Sequence, residues 1–271
     1  MKIEFTKMTG AGNDFVVIDN RWGLIKDGPA IARSLCDRRW GVGADGLLLI
    51  EPSARASYKM MYYNADGSYG GMCGNGGRCL AQFAFVHTLA DAEHDFEALD
   101  YVYNASVSSK LVMLTMKSPK DLKLNLLLPN GNKRIKAHYV DTGSPHLVIP
   151  VSQLKRDVDS VPVVMMGRKF RYEKKFLPDG TNVNFVQKID TNRLRIRTYE
   201  RGVEDETLAC GTGSIASAII AHAIWAMEPP ITVVPKSGVE LGVDFQHAGR
   251  TYRNVRLTGP ATILFTGSID I

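Results

Sequence analysis

At 271 residues and 45% hydrophobic composition, the chain can bury one large core or two smaller ones without help from a membrane. Its 33 Lys+Arg and 28 Asp+Glu leave a formal charge of +5, interspersed along the chain and not gathered into the basic stripe of a nucleic-acid-binding protein. No apolar run approaches the ~20 residues of a membrane helix, and no low-complexity tract marks a disordered arm.

Met1-Lys2-Ile3-Glu4-Phe5-Thr6-Lys7-Met8 alternates polar with apolar residues, which predicts a strand, and it lacks the apolar segment of a secretory signal. The expected location is cytoplasmic. Pro29 to about Arg38 reads as a helix with proline in its first turn. Gly41-Val42-Gly43-Ala44-Asp45-Gly46 is formally GxGxxG, yet the run Leu47-Leu48-Leu49-Ile50 predicts a strand where a pyrophosphate-binding turn needs a helix. Leu122-Lys123-Leu124-Asn125-Leu126 and Arg193-Leu194-Arg195-Ile196-Arg197 alternate as strands do, and Arg168 to Lys175 reads as the solvated face of a helix. From Ile215 to Trp225 nearly every residue is apolar, and a helix that is apolar all round must be enclosed by protein. Ala261-Thr262-Ile263-Leu264-Phe265 predicts a last, strongly apolar strand. Antiparallel sheet wrapped about a central helix accommodates all of these.

The most informative feature is an internal echo. Tyr62-Tyr63-Asn64 leads to Cys73-Gly74-Asn75-Gly76, and Thr198-Tyr199-Glu200 leads to Cys210-Gly211-Thr212-Gly213, with nine residues from Asn64 to Cys73 and ten from Glu200 to Cys210. Each copy reads as strand, loop, Cys-Gly-x-Gly and helix, and the copies lie about half a chain apart. Two pseudo-symmetric domains follow, 1–120 carrying Cys73 and 121–260 carrying Cys210. The strand 261–271 is expected to return to the first, with both cysteines in one cleft between the domains.

Four cysteines, Cys36, Cys73, Cys79 and Cys210, are too few for a disulfide framework and lack paired CxxC spacing for structural zinc. Cys36 and Cys79 read as small core residues. A helix N-terminus offers unpaired N–H groups and partial positive charge, so it favours a thiolate and binds a carboxylate. Stereoinversion at a carbon needs a base on one face and an acid on the other, because a single base returns the proton to the face it left. Two thiols meet that need, one ionised and one protonated near neutral pH, with coupled titrations.

These segments resemble the diaminopimelate epimerase family in Gly10-Ala11-Gly12-Asn13-Asp14-Phe15, Asn64-Ala65-Asp66-Gly67, Cys73-Gly74-Asn75-Gly76-Gly77-Arg78-Cys79 and Glu200-Arg201-Gly202 through Cys210-Gly211-Thr212-Gly213. The resemblance implies an α+β fold of two pseudo-symmetric domains, each mostly antiparallel sheet around a central helix. It implies cofactor-independent conversion of LL-2,6-diaminopimelate to the meso form, in lysine biosynthesis, with Cys73 and Cys210 catalytic. By the same resemblance Gly74, Asn75, Gly211 and Thr212 hold the reacting carboxylate. Asn13, Asn64, Asn182, Glu200 and Arg201 bind the rest of the substrate, while His146 and Glu200 tune the thiols. Gly46 and Ser144 border the substrate in the family, which often carries Gln and Asn at those positions.

Other readings make different predictions. A dinucleotide-binding protein would use Gly41 to Gly46 or Gly211 to Ala216 as its phosphate turn. A redox dithiol would work through a Cys73–Cys210 link, and a proline-racemase-like enzyme would share the two thiols but act on another amino acid. No metal or organic cofactor is expected, and the partner is a small amino acid. The oligomeric state stays open, a homodimer included.

Overall fold

A computed structural model describes residues 2–270; Met1 and Ile271, at the ends of the expected first and last strands, lie outside the described residues. The chain divides into two compact units, Met1–Thr115 with Thr258–Ile271, and Met116–Leu257. The first unit holds β1 (Lys2–Gly10), β2 (Asn13–Asp19), α1 (Gly28–Cys36), β3 (Gly46–Glu51), β4 (Tyr58–Asn64), α2 (Gly74–Val86), β5 (Glu93–Ala98), β6 (Tyr101–Ser108) and β7 (Leu111–Thr115). The second holds β8 (Lys120–Asn130), β9 (Lys133–Asp141), β10 (Pro145–Pro150), α3 (Val163–Arg171), β11 (Asn182–Lys188), β12 (Arg193–Glu200), β13 (Asp205–Thr207), α4 (Gly211–Trp225), β14 (Ile231–Val234), β15 (Leu241–Ala248) and most of β16 (Thr251–Pro260). The last strand, β17 (Thr262–Asp270), pairs antiparallel with β1.

The two units repeat one pairing plan. In the first, β17–β1 and β1–β2 are antiparallel, β2–β3 parallel, β3–β4 antiparallel, β4–β5 parallel and β5–β6 antiparallel. In the second, β8–β9, β9–β10, β10–β11, β11–β12, β12–β14 and β14–β15 follow the same sequence of directions. The sheets are therefore mostly antiparallel, as expected, with two parallel steps in each unit. Each parallel step needs a crossover, and a helix supplies it: α1 and α2 in the first unit, α3 and α4 in the second.

Each sheet has a helix on both faces. In the first unit Val16, Ile18, Leu47 and Leu49 pack with Ala32 and Leu35 of α1, while α2 lies on the other face against β1 to β4, β6, β7 and β17. Strand β3, Gly-Leu-Leu-Leu-Ile-Glu, is buried on both faces, which explains its unbroken apolar run. In the second unit Leu147, Ile149, Val183, Phe185 and Tyr199 pack with Met166 and Phe170 of α3. The opposite face holds α4, whose residues Gly213 to Ala221 are all buried, as an all-apolar helix requires.

Helix α1 starts at Gly28, where Asp27 accepts a hydrogen bond from the Ala30 N–H at 3.0 Å and Pro29 occupies the first turn. The basic run from Arg168 to Lys175 is not a single solvated face. It crosses the end of α3, Phe170 is fully buried, and Arg171 is buried with Nε 3.1 Å from Glu204. The last strand also departs from expectation, since Leu264 and Phe265 are about half exposed. Gly167 lets α3 approach β12: a Cβ there would lie 2.3 Å from Cβ of Tyr199 and 2.4 Å from its Cγ. Gly167→Ala is expected to cost about 1–3 kcal/mol by overpacking, read as a lower urea midpoint at unchanged m-value.

Candidate active site

Alternate residues of a strand share a face, so the candidates of the first unit can be sorted by parity. Residues Val16, Leu47, Met61 and Tyr63 belong to the α1 side. Asn13, Gly46, Tyr62 and Asn64, one residue or an odd number away, fall on the α2 side. Cys73 is the N-cap of α2, and its Sγ accepts the Gly76 N–H at 3.4 Å. Beside it Asn75 donates from Nδ2 to Asn13 Oδ1 at 2.6 Å, and Asn13 donates to Asp45 at 2.9 Å.

Behind Asn13 lies an ionic group in which Asp14 pairs with Lys7 at 2.7 Å and with Arg38 at 2.7 Å. Burial alone would raise the Asp14 carboxyl, but hydrogen bonds and charges from Arg38 and Lys7 outweigh it and hold the group down at about 2. A depressed carboxylate adds stability above its unfolded value, and that contribution is lost as the group protonates. We expect stability to fall as pH drops from about 4 to about 2, and Asp14→Asn to flatten that limb in a pH series of chemical denaturation.

Asn64 ends β4 and opens the turn that its Asn-Ala-Asp-Gly composition predicts, with Gly67 N–H donating to the Asn64 carbonyl at 2.9 Å. Its side chain accepts from the Tyr62 hydroxyl at 2.7 Å and donates to Ser68 Oγ at 2.9 Å. Tyr62 also accounts for Gly46. A Cβ at Gly46 would sit 2.5 Å from Cε2 of Tyr62 and 2.6 Å from the Tyr63 carbonyl oxygen, so the tyrosine ring occupies the side-chain space.

One residue without an assigned role in the sequence reading stands out. Arg78, on the first turns of α2, is fully buried. Its Nη2 donates to Asn75 Oδ1 at 2.7 Å, while Nε and Nη1 have no hydrogen-bond partner among the described residues. Burial lowers its pKa to about 10, against an opposing pull from the Cys79 and Cys73 thiols. Cys36 and Cys79 are buried, and desolvation pushes both thiols up to about 12, which suits core residues and not acid–base groups.

In the second unit the α4 face carries His146, Asn182, Asn184, Thr198 and Glu200, each one step from a residue packed on α3. Cys210 is the N-cap of α4, and its Sγ lies 3.5 Å from Thr212 Oγ1. Thr212 Oγ1 lies 2.9 Å from His146 Nε2 and 3.2 Å from Ser144 Oγ, and Ser144 Oγ is also 2.9 Å from that nitrogen. On the far side of the ring Asn184 Nδ2 is 3.1 Å from His146 Nδ1. Thr198 donates to Asn184 Oδ1 at 3.0 Å, and Asn184 Nδ2 also donates to the Leu147 carbonyl at 3.1 Å, which fixes the amide orientation. Nδ1 of His146 must then accept, leaving the proton on Nε2, directed at Ser144 and Thr212. Burial, aided by Arg201, drives the histidine down to about 3, so it is neutral at any working pH. His146 thus reaches Cys210 through Thr212.

Asn182 is held by the scaffold: its Oδ1 accepts the Arg201 N–H at 2.8 Å and its Nδ2 donates to the Pro145 carbonyl at 3.0 Å. Glu200 is pushed above the usual carboxylate range by burial. The Arg201 guanidinium has no ion pair among the described residues and borders a cavity of about 390 Å³ with Lys123, Tyr139, Asp141 and Lys175. Parity along β11 and β12 was the signal that could have found Asn184 and Thr198, which the sequence reading did not assign.

The GxGxxG match is accounted for locally. The N–H of Gly41 donates to Asp37, those of Val42 and Gly43 to Leu35, and those of Ala44 and Asp45 to Cys36 and Asp14. Those of Val42, Gly43 and Ala44 cap the end of α1, and all five are unavailable to a pyrophosphate, which removes that form of the dinucleotide reading.

Solved structures of other proteins share this architecture. A hydroxyproline epimerase from Agrobacterium vitis superimposes with a TM-score of 0.75, covering 99% of this chain and 92% of its own, at 17% identity. A PhzF-family phenazine biosynthesis protein from Bacillus anthracis gives 0.76 over 100% of both chains at 14% identity. At these identities the likeness establishes the fold: two pseudo-symmetric halves dominated by sheet. Sequence comparison goes further. The family described as Diaminopimelate epimerase matches residues 5–109 and 138–264. Diaminopimelate epimerases from Chlorobaculum tepidum and Aquifex aeolicus are 42% and 38% identical over 97% and 99% of this chain and 100% and 98% of their own lengths. The chain belongs to the diaminopimelate epimerase family and is an isomerase.

Proposed function

We propose that the protein epimerises LL-2,6-diaminopimelate to the meso isomer, with Cys73 and Cys210 as the base and acid. The observation that carries this reading is the repetition: each unit presents one cysteine as the N-cap of its central helix, at equivalent points of one pairing plan. One thiolate removes the Cα proton and the other thiol delivers a proton to the opposite face, so the configuration at Cα inverts, the two cysteines exchange protonation states, and the atoms and protons balance. The carbanionic transition state places charge on the substrate carboxylate. The N-terminal turns at Gly74, Asn75, Gly211 and Thr212 offer preoriented N–H groups to that charge, which supplies the stabilisation otherwise sought from a cofactor.

Arg201 suits the distal carboxylate because its fork of donors has no competing ion pair among the described residues. Asn13, Asn64 and Glu200 lie at corresponding strand ends to meet the remaining polar groups and the distal amine. Asn182 and His146 act by holding Arg201 and Thr212, with Ser144 in the same cluster and Gly46 making room for Tyr62. None of the helices of the described residues is long and apolar enough to cross a membrane. A reaction of this kind serves lysine biosynthesis in the cytoplasm.

The deciding experiment follows purified LL-diaminopimelate in deuterium oxide with reduced protein and no added cofactor. Deuterium at one α-carbon together with meso product is the expected result. Exchange on proline or hydroxyproline, with none on diaminopimelate, would transfer the reading to a proline-racemase-like activity.

A further inference from the structure

The end of α4 remote from Cys210 carries a second cluster of reactive side chains. His222 is in the last turn of α4, Glu228 follows in the connection to β14, and His247 lies on β15. Nε2 of His222 is 3.9 Å from one Glu228 carboxylate oxygen, and Nε2 of His247 is 3.8 Å from the other. The ligand atoms of the three residues all lie within 4.8 Å of one another. In a tetrahedral zinc-type site with ~2.0–2.1 Å bonds, donor atoms stand about 3.3 Å apart, so a modest contraction completes the set. Glu228 can supply it, being 71% exposed at its side chain.

The surroundings prepare the first of these ligands. Nδ1 of His222 is 2.9 Å from the Tyr252 hydroxyl, which leaves Nε2 directed toward Glu228 and His247. An outer hydrogen bond on one imidazole nitrogen is the arrangement that orients a metal-bound histidine. Phe245 and Tyr252 pack edge-on against the His222 ring at 5.6 and 5.5 Å. Phe245 and His247 are two residues apart on β15 and share its face.

We propose that His222, Glu228 and His247 form a binding site for a divalent transition-metal ion of the zinc class, which ties the end of α4 to β15. Two imidazoles with one carboxylate select zinc, cobalt, nickel or copper over magnesium or calcium, whose sites are built from oxygen. The site lies twelve residues along the helix from Cys210, about 18 Å at 1.5 Å per residue, so it is structural and takes no part in proton transfer.

Metal-stripped full-length protein titrated with cobalt(II), followed by visible absorption, provides the test. One equivalent should bind without a sulfur-to-cobalt charge-transfer band, and it should raise the thermal midpoint. Affinity should fall at least roughly tenfold in His222→Ala, His247→Ala and Glu228→Gln, and about tenfold in Tyr252→Phe. His247 and Glu228 are surface residues, so their variants read the site even if His222→Ala folds poorly. A thiolate band, unchanged affinity in the His247 and Glu228 variants, or no saturable uptake would each overturn the proposal.

Discussion

Cys73→Ala and Cys210→Ala are each expected to lower kcat for LL-diaminopimelate by about 10²- to 10⁴-fold, the range set by loss of a positioned acid or base. Cys36→Ala and Cys79→Ala should leave kcat within about twofold, because both thiols are buried and held in the protonated form at working pH. The two losses should differ in kind. Whichever thiol is removed, substrate entering from one stereoisomer loses its base and substrate entering from the other loses its acid. Wash-out of α-tritium can therefore persist in one direction when net inversion has stopped. If either variant inverted at the unmodified rate, the two-thiol reading would fail.

Arg78→Met should separate activity from stability. A fully buried guanidinium with two nitrogens unpartnered among the described residues is costly to keep, and replacing buried charge by apolar volume is often neutral or stabilising by about 1–4 kcal/mol. Partly offsetting this, Asn75 Oδ1 loses the hydrogen bond it accepts at 2.7 Å. We expect an unchanged or higher thermal midpoint alongside at least a tenfold fall in kcat/KM. Loss of the positive charge near Cys73 should also move the acidic limb of the kcat/KM profile up by roughly one pH unit. Arg78→Lys should recover part of the profile. A variant that is destabilised with an unmoved pH profile would assign Arg78 to packing alone.

The cysteine turns were legible because both copies use the same local chemistry: glycines where the backbone must come close, and a capping side chain before a helix. At Gly213 the closeness is explicit, since a Cβ would lie 2.5 Å from Asn184 Oδ1. The all-apolar α4 was equally plain, because nothing but enclosure by protein stabilises such a helix in water. Helix α3 was harder to see. Pro162-Val163-Val164-Met165-Met166 reads locally as an apolar run, and only Gly167 against Tyr199, with Phe170 and Arg171 buried, gives the segment its packed face. The charge on Arg171 looked solvated because its partner, Glu204, is 33 residues away in the chain. The parallel pairings, and the chain from Thr198 through Asn184 and His146 to Thr212, depend on strand order, which no local pattern encodes. Gly46 showed as an oddity in sequence, and Tyr62 supplied its reason only in three dimensions.

The antiparallel pairing of β1 with β17 bears on biosynthesis. The second unit is one continuous stretch, and the pairings from β8 to β15 are all made within it. The first unit is not: β1 waits for residues 262–270 before its outer edge is covered. During translation β1 is therefore an open edge, able to recruit a neighbouring chain in place of its own last strand. The order of maturation runs against the usual one, with the later-made half complete first. Nascent chains halted before Thr262 should show protease protection across 116–257 well before it appears across the early strands.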